Sequence, residues 1–590
     1  MVMWNMRVRI RTALLAIVTM VAVSCAIDIV PAADLAEITF TATGENVRYD
    51  DHQTKACFAD YPKIAWQAGD EISVLGADTG NQKFVAVSSG HETTFEGRAD
   101  LSDEKYYAVY PYDSNVTLNT DGTLSGVIIP HVQAATADNF DPKAYVALAQ
   151  TEDKENLSFS AVGAFVRFIF ENFGDVAVKS VTLKTDGTQV MAGTDSGSVK
   201  LQGSFDTGKS YFMIVLPSEY SAGVTVYIEL EDGTVISRTG KNPLFESGKS
   251  RNYIRTMILD KTQFTEETDQ YALYCMGYDV KAGGKVINKN TDGEAVLINA
   301  TSSGKGIGKS GIYFIEDDVT ATFNSGITGK LVVIGNGETR ATVNRSGVSY
   351  LTASQGDDVL IMKNVNYTDC VENLFQLNAA YIFESIIFED CLFNVATGKN
   401  LLLYSTSANT INEFRMTDCD VRMDGSVCLV KMGEYTIDKI SFENNVMYAD
   451  EPMTSFFALN SSATVNSIVF DNNTLYNTTI GTTSSNEDAV VKAYKSNSFQ
   501  VKNNYLVDAN STANRYLGRA IFRGGEVDNN FYVRKEGTTT SIYGVPGSPI
   551  PSWVISQPVV KAAPDNLTAN WDPANGKYTL GGFAGVGAKR

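Results

Sequence analysis

Seven times between residues 358 and 533 the chain repeats one pattern: apolar, any, apolar, any, Asn or Asp, then an apolar residue three places on. Leu360-Ile361-Met362-Lys363-Asn364 and Ile386-Ile387-Phe388-Glu389-Asp390 are the first two copies. The Asn or Asp recurs at Asp418, Asn444, Asn472, Asn503 and Asn529, and the last copy has Gly525 where its first apolar residue should be. These positions lie 26, 28, 26, 28, 31 and 26 residues apart. A strand-built repeat of that length predicts coils that stack on one another, as in a parallel β-helix. Alternation predicts that Leu360, Met362 and Asn364 share the inward face of a strand. The Asn or Asp is expected to end the strand at a bend, where it tolerates left-handed backbone angles. Stacked at about 4.8 Å, the seven residues would form an inward ladder, each amide bonding the next coil. Tyr367, Phe393, Val421, Met447, Leu475, Leu506 and Tyr532, each three places on, would start the next inward face.

Residues 38–259 alternate in shorter runs broken by turns such as Asp186-Gly187 and Asp232-Gly233. The runs at 163–170 and 224–230 are the clearest strands, and the polar run 151–156 predicts a division into two lobes, 38–152 and 153–259. Residues 260–540 are assigned to the β-helix, its first coils from residue 274 lacking the Asn pattern. A Pro-rich stretch at 545–551 opens an irregular segment, 541–590, expected to cap the last coils.

The chain has 590 residues, 48 Gly, 14 Pro and a formal charge of −20. That length suits about three cores, and the lack of long helical periodicity favours an all-β protein. The charge argues against nucleic acid or a bare anionic membrane as partner, and against polyanionic glycans unless a cation bridges. Arg7, Arg9 and Arg11 precede an apolar stretch, 13–23, too short to span a bilayer. Val21-Ala22-Val23-Ser24-Cys25 then resembles a bacterial lipobox, with Ala22 where Leu is usual. The resemblance implies a signal peptide over 1–25, lipidation of Cys25, a tether over 26–37 and outer-membrane anchoring, facing outward. Of the other six cysteines, Cys391 and Cys419 share a column in adjacent coils; spacing alone allows a disulfide, but stacked cysteines in such columns are commonly free thiols that behave as small apolar residues. There is no CxxC, and all three histidines precede the solenoid.

Two family resemblances follow. Ile38-Thr39-Phe40-Thr41-Ala42, the run from Ile64 through Trp66 to Val74, Tyr106-Tyr107-Ala108-Val109-Tyr110-Pro111-Tyr112, Phe165-Val166-Arg167-Phe168 and Val215-Leu216-Pro217 resemble, in order, the fimbrillin-like lipoproteins of Bacteroidetes. The likeness covers about 38–258 and implies two transthyretin-like β-sandwich lobes at the cell surface. Members that polymerise release a first strand by cleavage after Arg or Lys, for which Arg48 is the candidate here, so fimbrial subunits become candidate partners. Residues 270–590 resemble the pectate-lyase-like right-handed parallel β-helices, in particular an uncharacterised Bacteroidetes branch. The closing Asn570-Trp571-Asp572-Pro573 and 582–588 look like that branch's terminal motif. Such a repeat specifies fold, whereas activity belongs to a grafted site.

A lyase of this shape needs an Arg or Lys base and a partner, often calcium, for the substrate carboxylate. Arg415 and Arg422, near Asp420 and Asp424, are the candidate catalytic residues; a salt-bridged surface rung explains them as simply. Glu443 and Asp471 are neighbours in the outward column Lys363, Glu389, Thr417, Glu443, Asp471, Lys502 and Asp528, and could hold a cation such as calcium. Two solvated acids are the plainer reading, and no cofactor is otherwise implied. The Arg-x-x-Pro-x-x-Arg pattern of pectate lyases is missing. Sugar-binding faces use aromatic platforms, and Tyr381, Tyr404, Tyr435, Tyr448, Tyr476, Tyr494 and Tyr516 are candidates. The sequence therefore favours a surface lipoprotein that binds polysaccharide or a host or bacterial surface glycan, or adheres. The alternatives are a lyase acting on acidic glycans and an accessory or tip subunit of a fimbria.

Overall fold

Alternating positions become strand in both parts of the chain, and the computed structural model is all-β apart from short helical turns. It describes residues 35–43, 48–49, 65–185, 197–217, 220, 223–240, 253–302, 306–323, 327–345, 358–370, 375–377, 382–395, 403–405, 409–423, 430–432, 435–449, 457–459, 464–476, 489–492, 496–508, 516–519, 526–534, 559–562, 571–572, 577–578 and 587–588. The signal peptide, Cys25 and most of the 541–590 segment lie outside these residues. The chain divides into two compact units, Met1–Glu267 and Thr268–Arg590.

The first unit contains sheets of eight, four and six strands. Ala36–Thr43 lies inside the eight-stranded sheet, antiparallel to Glu92–Ala99 and parallel to Asn156–Ser158. Phe40, Trp66, Phe84, Phe95, Tyr106, Phe165 and Phe168 are fully buried in one continuous core. Trp66 meets Phe95, Tyr110 and Phe159 edge-on at 5.1–5.2 Å, the geometry aromatic quadrupoles prefer. Strand membership crosses the expected division at 152/153. Asn156–Ser158 and Ser160–Ala161 join the sheet of the earlier strands, while Val132–Ala134 and Arg48–Tyr49 join sheets of the later ones. Rings packed across that point, such as Tyr145 on Phe165, make one core of the two halves.

The second unit opens with helix Gln270–Cys275, capped by the Asp269 carboxylate on the Ala272 amide. Buried Tyr274 and half-buried Tyr271 pack on Phe314. The chain then forms sheets of ten, eleven and six strands in which every hydrogen-bonded neighbour is parallel, an arrangement compatible with a β-helix. The first coils reach the ten-stranded sheet through Ala295–Ile298, Gly311–Ile315 and Lys330–Gly335, before the Asn pattern begins. At Gly335 the next coil comes so close that a Cβ would strike the Asn364 carbonyl. Inside, Phe388, Phe414, Phe442 and Phe470 form a continuous run of rings with centroids 5.8–6.2 Å apart. Val559–Ala562, in the segment expected to be irregular, adds one more parallel strand beside Phe531–Arg534. Near the C-terminus, the Gly587 amide donates to the Asn503 carbonyl at 2.7 Å.

Candidate functional site

Asn364, Asp390, Asp418, Asn444, Asn472, Asn503 and Asn529 all have φ between 50° and 58°, the left-handed region that Asn and Asp tolerate best among residues with a side chain. Their amides tie coil to coil: Asp390 donates to the Thr417 carbonyl at 2.9 Å and Asn444 to the Asp471 carbonyl at 3.0 Å. The residues stack, but their side chains do not form the inward ladder expected of them. Six are half-buried and Asn529 is exposed. Side-chain links between neighbours join Asn444 to Asp418 and Asn529 to Asn503.

The inward ladder is one residue later. A left-handed residue turns the chain at the bend and breaks the two-residue period, so its successor faces the core. Asn445, Asn473, Asn504 and Asn530 occupy that column and are buried. Asn445 Nδ2 donates to the Met416 carbonyl of the coil before and to Asn473 Oδ1 of the coil after, both at 3.0 Å. Asn473 repeats this with Phe442 and Asn504, and Asn504 with Phe470 and Asn530. Each Oδ1 also accepts the preceding coil's amide, as Asn473 does from Asn445 at 3.0 Å. No polar group of the four is wasted, which such burial requires. The signal was in the sequence: Asn-Asn stands at 444–445, 472–473, 503–504 and 529–530. In earlier coils the column holds Val365, Cys391 and Cys419.

On the outer face, register places Ile361, Ile387, Arg415, Ser441, Val469 and Gln500 in one column. Lys363, Glu389, Thr417, Glu443, Asp471, Lys502 and Asp528 form the next. A hairpin of Val280–Ala282 and Lys285–Ile287 lies over the start of both. Its turn residues Gly283 and Gly284 have φ of 60° and 66°, as a two-residue hairpin turn of the primed type requires. Gly283 sits against Ile387 and Ile361, which is why these outward isoleucines are buried. The Gly283 amide donates to Glu389 Oε2, the Gly283 carbonyl accepts from Arg415 Nη2, and Lys285 pairs with Glu384 at 2.6 Å. Arg415 also lies 3.7 Å from Glu413.

Arg415 and Arg422 are therefore not set out as a pair. Arg415 is in Asn409–Thr417 of the ten-stranded sheet, and Arg422 is past the Asp418 bend in Asp420–Met423 of the eleven-stranded sheet. Arg422 aligns with Asn394 and Tyr448. Asp420, expected beside both arginines, is paired with Arg340, which also holds Asp390 at 2.7 Å. Burial works against the Arg340 charge, but the Asp420 and Asp390 carboxylates outweigh it and hold the guanidinium above its ordinary range. Glu443 and Asp471 face each other across one strand spacing. Asp471 accepts from Gln500 Nε2 and, at 2.9 Å, from the Lys502 amide, while Ser441 Oγ donates to Glu443. Burial pushes the Asp471 carboxyl up, its bonds to Gln500 and Lys502 oppose this, and the Glu443 charge adds to the rise. Among the described residues no three His, Cys, Asp or Glu side chains gather to hold a metal ion. Of the candidate tyrosine platforms, the placed side chain is Tyr448, half-buried; Tyr381, Tyr494 and Cys25 lie outside the described residues.

Comparison with known proteins adds likeness in part of the chain. No family matches, and no curated protein does. Among solved structures, a candidate cell adhesion protein from Bacteroides ovatus is 16% identical, with a TM-score of 0.24, covering 39% of this chain and 96% of that one. A fimbrial protein from the same species is 14% identical (TM-score 0.22; 43% and 54% covered). The tip fimbrial protein Mfa3 from Porphyromonas gingivalis, with C-terminal truncation, is 10% identical (TM-score 0.19; 36% and 84%). At such values function has to be argued from this chain's own residues.

Proposed function

We propose that the protein is a surface lipoprotein of the outer membrane whose C-terminal unit, a right-handed parallel β-helix, binds glycan through the outer face of its ten-stranded sheet and so serves glycan capture or adhesion. The outer column beyond the hairpin, from Thr417 to Asp528, carries the reading. It sets acids, a base and a hydroxyl about 4.8 Å apart on a rigid sheet, a spacing suited to successive polar groups of an extended sugar chain. The engagement of Arg415 with the Gly283 carbonyl favours binding over a lyase, since the candidate base is already committed to a structural bond. The test passes the whole chain over immobilised pectins, alginate, glycosaminoglycans and neutral glycans, with and without calcium. Retention without the ultraviolet absorbance of unsaturated uronates is expected. New absorbance that vanishes in Arg415→Ala or Arg422→Ala would establish the lyase instead, and failure to bind any glycan would remove the proposal.

A role as an accessory or tip subunit of a fimbria is the second reading. What favours it is that Ala36–Thr43, paired on both sides within its sheet, is followed by Arg48 in the short strand Arg48–Tyr49. Cleavage after Arg48 would detach that strand's covalent link. Larger oligomers on mixing the cleaved chain with fimbrial shaft subunits would support this reading; an unchanged size would count against it.

A further inference from the structure

From the coil register we infer that Cys391 and Cys419 are a modification site: they form a disulfide that joins adjacent coils and continues the buried asparagine ladder in covalent form. Leu392 and Asp420 are register partners, so the two cysteines that precede them share a column one strand spacing apart. The Asp420 amide donates to the Cys391 carbonyl at 2.8 Å, and the Val446 amide to the Cys419 carbonyl at 2.9 Å, so the backbone continues evenly through the pair. A spacing of about 4.8 Å lies within the Cα separation a disulfide spans, about 4.4–6.8 Å. Both are buried free thiols in this structure and occupy the column that asparagines fill in the next four coils.

The acceptors match as well. Cys391 Sγ donates to the Met362 carbonyl at 3.4 Å and Cys419 Sγ to the Phe388 carbonyl at 3.5 Å, as Asn445 donates to Met416. An asparagine has two amide hydrogens, one for the coil behind and one for the coil ahead. A thiol has one and cannot make both links. Between Cys391 and Cys419 the sulfur–sulfur bond supplies the missing coil-to-coil connection, and gives up only two weak S–H donors.

The inference rests on export, because thiols persist in the cytoplasm and pair outside it. Bond formation needs an oxidant, here an exported dithiol–disulfide oxidoreductase. One cysteine thiolate attacks the enzyme's disulfide, and the second attacks the mixed disulfide. Two protons and two electrons leave the pair, and the enzyme departs as a dithiol. Burial, and then contact with Cys391, push the Cys419 thiol well above its ordinary pKa, so folded Cys419 is a poor nucleophile and oxidation belongs to the assembly of the coils.

The experiment alkylates free thiols in denatured chain from exporting cells, then digests it with trypsin and a Glu-specific protease without reduction. A cross-linked pair of peptides containing Cys391 and Cys419, lighter by about 2 Da than the two reduced peptides together, is expected. Both residues alkylated in chain whose N-terminus is lipidated Cys25 would overturn the disulfide while leaving the anchor intact. A second arm refolds reduced chain from urea with oxidised glutathione. Linkage there supports the site even if export fails, and its absence overturns the site. Reductant should lower the melting temperature of the linked wild type and leave Cys391→Ala unshifted.

Discussion

Asn-Asn pairs assign two jobs to neighbouring identical residues, and substitutions should separate them. Asn472 holds a left-handed bend with φ 55°, whereas Asn473 is buried and spends its whole amide on the coils before and after it. Asn472→Gly keeps the accessible backbone, so it should change stability by no more than about 1 kcal/mol. Asn473→Ala leaves the Asn445 amide and the Phe442 carbonyl without that partner inside the core, at a cost on the order of 3 kcal/mol. Urea unfolding of the two variants checks the contrast, and equal losses would contradict it. Asp471 gives a pH signature. Its folded pKa is raised above the ordinary 3.8, so the stability it contributes is present at low pH and is lost as pH rises through the folded value. Asn in its place keeps an acceptor for the Lys502 amide and carries no charge, and Gln500 can turn its amide to match. Asp471→Asn should therefore raise the urea midpoint near pH 7 and leave it unchanged in acid; a midpoint that falls equally at both would refute the assignment.

Gly283 ties the hairpin at 280–287 to the stacked coils, with its amide on Glu389 and its carbonyl on Arg415, beside the Lys285–Glu384 pair and the bond from Lys363 Nζ to the Lys281 carbonyl. A Cβ on Gly283 would lie 2.6 Å from Ile387 Cγ2 and would sit on a backbone with φ of 60°. Gly283→Ala should cost about 2 kcal/mol from left-handed strain and overpacking together, with faster hydrogen exchange in the hairpin. Arg415→Ala should speed that exchange while leaving the strands at 435–443 and 464–471 protected; uniform loss would mean that Arg415 supports the coils instead. The hairpin's turn was readable locally, but its docking onto Arg415 joins residues 132 apart and no local pattern announces that. Column positions were readable because the repeat counts them, and the outer column from Lys363 to Asp528 has that register. Which side chain faced inward was misread, because alternation was continued through a bend whose left-handed residue resets it. In the first unit the turn at Asp232-Gly233 was legible, and Asp186-Gly187 lies outside the described residues; the polar run at 151–156 marked a loop between strands of one sheet rather than a seam, since Ala147–Thr151 and Asn156–Ser158 both belong to the eight-stranded sheet.

For the whole chain, the balance of charge decides how a membrane could hold it. A net charge of −20 repels anionic headgroups, so electrostatic adsorption would be unfavourable at low salt and relieved, not created, by screening. Among the described residues no helix is long and apolar enough to cross a bilayer. On the proposed reading, retention on an anionic bilayer falls to acyl chains. Each buried methylene contributes about 0.8 kcal/mol, and more than one chain is needed for stable anchoring, which a diacylated, N-acylated Cys25 would supply. The protein should sediment with membranes, stay there through a molar salt wash, and leave only in detergent. Cys25→Ala should move it to the soluble fraction or trap it as precursor. Mass spectrometry of the mature N-terminus gives the direct reading, an acylated Cys25. An unmodified N-terminus at another residue, or release of the wild type by salt alone, would show that the segment before residue 25 directs export without an anchor.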